Sequence, residues 1–239
     1  MDRLSLLNFS DPSYQLMINL AEQLKLPFIQ IQRQAELIAI DNNHNNIKSI
    51  EISASYALKL IDNYLLSLRL AQQKMSLEQE PVSIISVLYD SGQLLIDLAK
   101  EYGVDIELDV SGKFEPVIAH KKGLESALVS IGSSLIEAVS TQEGAKCRLQ
   151  LATHKCRYGV VAGVYANNPN ITTDLLRQGR KLIGNARQPL VNLTYSAGAG
   201  IFVADSILKA MSLSLKASRH HSLYGLGAVM RGSQQLQLV

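Results

Sequence analysis

From about Ser13 to Ile40 apolar residues recur at Leu16, Leu20, Leu24, Phe28, Ile31, Ala35 and Ile38, in steps of three and four. That spacing draws a single stripe along a helix and predicts a long amphipathic segment. Asp41 to Asn46 is polar and rich in Asn, a residue that competes for backbone hydrogen bonds and tolerates turn conformations, so it reads as a loop. A second stripe follows at Ile47, Ile50, Ala54, Ala57, Ile61, Tyr64 and Leu68, alternating steps of three and four on a helix that runs to about Gln73. Two long helices joined by a short loop lie antiparallel. Such a hairpin cannot cover both stripes by itself. Two copies closing into a four-helix bundle about a two-fold axis would cover them, with Leu16, Leu20, Leu24, Phe28, Ile31, Ile50, Ala54, Ala57, Ile61 and Leu68 at the interface. The alternative is that the hairpin packs on the C-terminal half of its own chain.

Beyond Pro81 the period changes. Val82 to Tyr102 reads as a helix stopped by Gly103, which adopts the left-handed conformation without a Cβ penalty. Val104 to Val110 alternates apolar and acidic residues, the pattern of a half-buried strand. A short strand at Pro116–Ala119, a helix over Lys121–Ser140 and a strand pair near Cys147–Thr153 and Tyr158–Tyr165 follow. After a loop and a helical stretch, Ser196-Ala197-Gly198-Ala199-Gly200 leads into a helix over Ile201–Met211, and strands near Leu213–Ala217 and Leu226–Arg231 precede the tail. Helices and antiparallel strands without regular βαβ units predict an α+β sandwich, a mixed sheet with helices on one face. The chain divides at residues 1–78 and 79–239.

Composition narrows the function classes. In 239 residues, 47% are hydrophobic and only 18% charged, so a substantial core forms and disorder is excluded. A net charge of +2 without a run of five like charges gives no support for a nucleic-acid partner. No apolar run reaches the roughly 18 residues of a membrane span, and the N-terminus lacks a signal-peptide pattern. Cys147 and Cys156 are too few for a disulfide framework or a four-ligand zinc site, so the expected compartment is the reducing cytoplasm.

Several stretches together resemble the transmitter core of sensor histidine kinases, a dimerisation and phosphotransfer hairpin followed by an ATP-binding domain of the type shared with gyrase and the heat-shock chaperone. Leu24-Lys25-Leu26-Pro27-Phe28 stands where that family has Leu-Arg-Thr-Pro-Leu, and Val82 to Val110 resembles its connecting helix and first strand. Pro116-Val117-Ile118-Ala119-His120 is similar to its short strand ending in Ala-Asp, and Gly198-Ala199-Gly200 to its glycine-rich box. The order of elements matches over nearly the whole chain, from about Tyr14 to Leu238.

The resemblance implies ATP, magnesium and a phosphorylated histidine, and the residues at the corresponding positions lack that chemistry. Family members carry the histidine five residues before the hairpin proline, beside an acidic proton acceptor; here stand Glu22 and Gln23. A carboxylate, anionic at neutral pH, cannot form the phosphoramidate of an imidazole, and Gln is no base. His44 and His120 lie outside the hairpin position and read as surface residues. The magnesium-holding Asn corresponds to Ser134, one turn after Ser130, and a hydroxyl is a feeble magnesium ligand. The adenine-reading Asp corresponds to Ala166, with Asn168 and Asn170 in place of two glycines, which leaves Asn167 as the one vestigial base reader. Gly198 and Gly200 ahead of a helix present backbone N–H groups to an anion or serve as a plain turn. Cys147, Cys156 and His154 fall on one strand pair without a catalytic pattern, and His220-His221 reads as a solvated loop, so no metal site is expected.

The reading that results is a catalytically silent, dimeric, histidine-kinase-like interaction module of two-component-type signalling, with no cofactor, whose hairpin docks a response-regulator receiver or a genuine histidine kinase. No sensor segment precedes Tyr14, so a signal is expected from a separate chain. The alternative is residual ATP binding with kinase, phosphatase or phosphotransferase activity.

Overall fold

The computed structural model describes residues 12–40, 44–71, 77–140, 148–167 and 195–233. Cys147, Asn168, Asn170 and the stretch before Tyr195 lie outside them. Two long helices open the chain, α1 (Pro12–Ile40) and α2 (His44–Ala71). His44, Asn45 and Asn46, expected in the loop, are the first turn of α2. Pro27 sits inside α1, where its ring removes one backbone donor without ending the helix.

The second half begins with a strand the periodicity does not reveal. β1 (Glu80–Val82) has three residues, one of them Pro81, which is too short to show alternation, and it pairs antiparallel with β3 (Val117–Ala119). The connecting helix therefore starts later than expected: α3 (Ile84–Glu101) is capped by Ser83, whose side chain accepts the Ser86 N–H at 3.4 Å. Gly103 follows its C-cap at φ 65, as the sequence predicts.

A five-stranded mixed sheet forms from β2 (Asp105–Asp109), β4 (Arg148–Cys156), β5 (Gly159–Ala166), β6 (Leu215–His220) and β7 (Leu223–Met230), in the order β2-β4-β5-β7-β6. β2 runs parallel to β4, and the remaining neighbours are antiparallel. β6 and β7 approach closer to each other than expected, leaving only His221 and Ser222 as the turn. Helices α3, α4 (Lys121–Ser140) and α5 (Tyr195–Ala210) cover one face. Alternation assigns the two faces. Leu149 and Leu151 of β4, Ala162 and Val164 of β5, and Leu226 and Ala228 of β7 join Leu88, Leu95, Leu124 and Leu135 in one apolar core. The opposite parity puts Asp109, His154, Tyr165, Ser218 and His220 on the outer face. This is the α+β sandwich with an N-terminal helical hairpin that the sequence predicts.

Tyr64 and Leu70 of α2 belong to the same core as the sandwich. Within one chain the hairpin thus packs on the C-terminal half, through Tyr64 of the heptad seam and a neighbouring stripe of α2. Ser53, Tyr56, Leu60, Asn63, Ser67 and Leu70 step by three and four along α2, and all are buried or half-buried.

Candidate functional site

The site to which the resemblance directs attention is the inner surface of α4, where the family's Asn box would hold magnesium and phosphate. Its two candidate positions are closed. Ser130 is 3% exposed, and its hydroxyl oxygen accepts a hydrogen bond from the Asn63 side-chain amide of α2 at 3.2 Å. Ser134 has no exposure at all, and the backbone of α5 crosses directly over it. A Cβ placed at Gly200 would collide with Ser134 Oγ and approach the Ser130 carbonyl oxygen to 2.8 Å. Glycine at 200 is therefore a helix–helix contact residue. Gly198 and Gly200 both lie within α5, which begins at Tyr195, and this corrects the expectation of a glycine turn ahead of the helix.

Helix α2 extends that closure along α4. Lys59 Nζ pairs with Glu125 Oε1 at 3.3 Å, and the Tyr56 hydroxyl hydrogen-bonds Ser133. Burial pushes the Tyr56 phenol far above its ordinary range, and the Glu137 carboxylate adds to the shift while the Ser133 hydrogen bond opposes it. Burial does the same to Tyr64 and Tyr102. These phenols stay neutral at physiological pH. Asn63 and Tyr56 carry no site signal in the sequence, because their stripe mixes Ser and Asn with Leu and Tyr; its three-and-four spacing is the one mark it leaves.

The other positions fall as follows. Ala166 is fully buried in β5 with its methyl in the core, so no acceptor for a base stands there, and Asn167 is exposed at the strand end. Ser134 and Ala166 in these surroundings do not fit magnesium-ATP: the first offers a hydroxyl sealed by α5, the second no polar atom. Glu22, Gln23, Leu16 and Leu68 lie on α1 and α2, with their side chains outside the described residues. Leu20, Leu24, Ile31, Ile50, Ala54 and Ile61 are half-buried, Ala57 is buried within the chain, and Phe28 is 55% exposed. His120 has a structural role beyond that of a surface residue. Its Nδ1 accepts the Gly123 N–H at 3.0 Å and caps α4, which places its proton on Nε2.

The outer face of the sheet holds a cluster that includes His220 and His221, the pair expected in a solvated loop; His220 instead ends β6 and is buried. His220 is 7% exposed; its Nε2 lies 2.9 Å from Asp109 Oδ2 and its Nδ1 lies 3.3 Å from His154 Nδ1. His221 Nε2 stands 3.5 Å from the same Asp109 oxygen. Tyr165, fully buried, packs its ring 5.4 Å from that of His220 and shares a hydrogen bond with Ser218 at 3.3 Å. Gly225 makes the space, since a Cβ there would lie 2.7 Å from the Tyr165 ring. Hydrogen bonds from the Ser111 hydroxyl and from His220 hold Asp109 well below the usual carboxylate range. Burial first, then the neighbouring His220 and His221, lowers the pKa of His154. Among the described residues, Cys156 is a free cysteine on β4.

No protein-family model and no curated protein matches this sequence. Solved structures do match the fold. The Acinetobacter baumannii histidine kinase AdeS is similar with a TM-score of 0.52 at 15% identity, covering 89% of this chain and 98% of that one. Full-length ShkA, determined in complex with AMPPNP, is similar with a TM-score of 0.52 at 17% identity over 89% of this chain. The match covers 46% of ShkA, so this chain spans about half of that protein. The fold is that of a histidine-kinase transmitter core, a helical hairpin joined to an ATPase-type sandwich. None of the described helices is long and apolar enough to cross a membrane.

Proposed function

We propose that this chain is a catalytically silent, histidine-kinase-like protein that works as a dimeric interaction module in two-component-type signalling. The observation that carries the reading is the sealing of Ser130 and Ser134 by Asn63 and by the α5 backbone at Gly200. A nucleotide site needs open polar groups at that helix, and here Ser130 is bonded to Asn63 while Ser134 is buried beneath α5. The likeness to the two kinases supports the scaffold half of the reading. The replacement of the phosphoacceptor by Glu22 and of the base-reading carboxylate by Ala166 supports the silent half.

On this reading the hairpin is the working surface, and it serves in the cytoplasm. Leu58 and Leu65 of α2, 64% and 45% exposed, lie one helical turn-pair apart on the same side, about 100° round from the buried Ala57 and Tyr64. Phe28 and Ile29 of α1 are more than half exposed. A second copy of the hairpin covers these residues, and the resulting bundle presents its outer helices to a receiver domain or to a kinase. The full chain with ATP or ADP and magnesium is expected to show no thermal stabilisation and, with labelled ATP, no acid-labile label. Saturable nucleotide binding at about 10 μM or tighter would overturn the silent reading, because ligand at 100 times Kd stabilises a protein by about 2.7 kcal/mol. Leu58→Asp is expected to convert dimer to monomer by light scattering.

A further inference from the structure

We propose that Asp109, His220 and His221 form a binding site for a divalent transition-metal ion of the zinc class, on the face of the sheet opposite the helices. The nearest ligating atoms of the three residues all lie within 4.8 Å of one another, and His220 Nε2 and His221 Nε2 approach the same carboxylate oxygen at 2.9 and 3.5 Å. Donors about 2.0–2.1 Å from a tetrahedral ion stand about 3.4 Å apart, so small shifts of three side chains convert the cluster into a coordination shell.

Three features of the backbone build this arrangement. Consecutive residues of a strand point to opposite faces, so two adjacent histidines ordinarily cannot reach one ligand. His221 leaves the strand at φ 50, in the left-handed region, and that turn brings its ring edge-on to His220 with centroids 4.3 Å apart. Asp109 ends β2, at one edge of the sheet, while His220 ends β6 at the other, so the curled sheet closes its two edges over this spot. Ser111 then fixes the carboxylate: its hydroxyl and its backbone N–H both donate to Asp109 Oδ1, at 2.7 and 3.3 Å, which turns Oδ2 toward the imidazoles.

The surroundings suit a metal of this class. Two imidazole nitrogens and one carboxylate oxygen are the donor types that zinc, cobalt and nickel take, and magnesium and calcium prefer all-oxygen shells. With Nε2 of His220 on the ion, its ring proton sits on Nδ1 and is donated to His154 Nδ1, the outer-sphere partner that orients a metal-bound histidine. His220 is buried on the sheet side while the His221 side chain is 74% exposed, leaving the solvent side for entry and for water in the remaining position. The site is independent of the signalling reading, since it lies on the face away from α2, α4 and α5.

The test uses the untagged full chain, stripped of metal and titrated with Zn(II) against a chromophoric chelator, with Co(II) as the spectroscopic probe. One ion per chain is expected at micromolar or tighter affinity, with a visible Co(II) band, without thiolate charge transfer, and without competition from Mg(II) or Ca(II). His221 is exposed, so His221→Ala keeps the fold by circular dichroism; removing this ligand is expected to weaken binding by more than about 100-fold, against about 10- to 100-fold for the outer-sphere variant His154→Ala. Cys156→Ser is expected to change nothing. The absence of saturable Zn(II) binding would overturn the proposal, as would affinity unchanged by His221→Ala or lost in Cys156→Ser.

Discussion

The sandwich and the hairpin are both made of amphipathic elements, and they dispose of their apolar surface in opposite ways. In the sandwich Leu88, Leu95, Leu124 and Leu135 have no exposure, and the helices close over one face of the sheet. In the hairpin Leu58, Leu65, Phe28 and Ile29 remain in solvent, while α2 buries Asn63, bonded to Ser130 of α4, together with Ser67, Leu60 and Tyr64. An apolar core selects the fold by area alone, whereas a seam containing buried amides and hydroxyls selects one register, because any slip leaves a polar atom without a partner. The difference teaches that the α4 surface carrying Ser130 is an internal interface, whereas the far side of the hairpin leaves its apolar residues in solvent.

The sharpest way to break this comparison is to substitute the two sides of α2 in turn. Tyr64 is 2% exposed and joins hairpin to core, so Tyr64→Ala is expected to lower stability by about 3–5 kcal/mol in urea unfolding. Leu58→Ala, on the open side, is expected to stay within about 0.5 kcal/mol for the monomer while weakening self-association at a given protein concentration. Equal losses for the two variants would mean that α2 has no inner and outer side. Next in size is Gly200→Val. Its side chain meets Ser134 and the Ser130 carbonyl, and forcing α4 and α5 apart is expected to destabilise by about 1–3 kcal/mol, read as a lowered Tm.

Most of the architecture was legible because it rests on periodicity. The two long helices, the strand alternation at Asp105–Asp109 and the stop at Gly103 each follow from local rules that tertiary contacts did not override. β1 was not legible, since three residues including Pro81 carry no period. The start of α5 was hidden by Gly198 and Gly200, whose usual meaning is a turn; their value here is the missing Cβ where two helices cross, a property of the neighbour and not of the segment. The same holds for Ser130 and Ser134. Sequence position reveals what they lack as magnesium ligands, and only the packed structure reveals that Asn63 and Gly200 have taken up the space. The histidine cluster was out of reach for a third reason: Asp109 and His220 sit on opposite edge strands, 111 residues apart, and only the curl of the sheet joins them.

The α2–α4 seam offers two smaller effects that separate its buried part from its rim. Ser130→Ala strands the buried Asn63 amide and is expected to lower stability by about 1–3 kcal/mol. Adding Asn63→Leu is expected to recover part of the loss, with a coupling of at least about 0.5 kcal/mol in a double-mutant cycle. The Lys59–Glu125 pair closes the same seam near its surface, with side chains 34% and 18% exposed. Water and ions screen such a pair, so Lys59→Met is expected to lower stability by only about 0.2–1 kcal/mol, an effect that shrinks further in high salt. A loss for Lys59→Met as large as that for Ser130→Ala, and unchanged by salt, would show that charge rather than the buried hydrogen bond fixes α2 on α4.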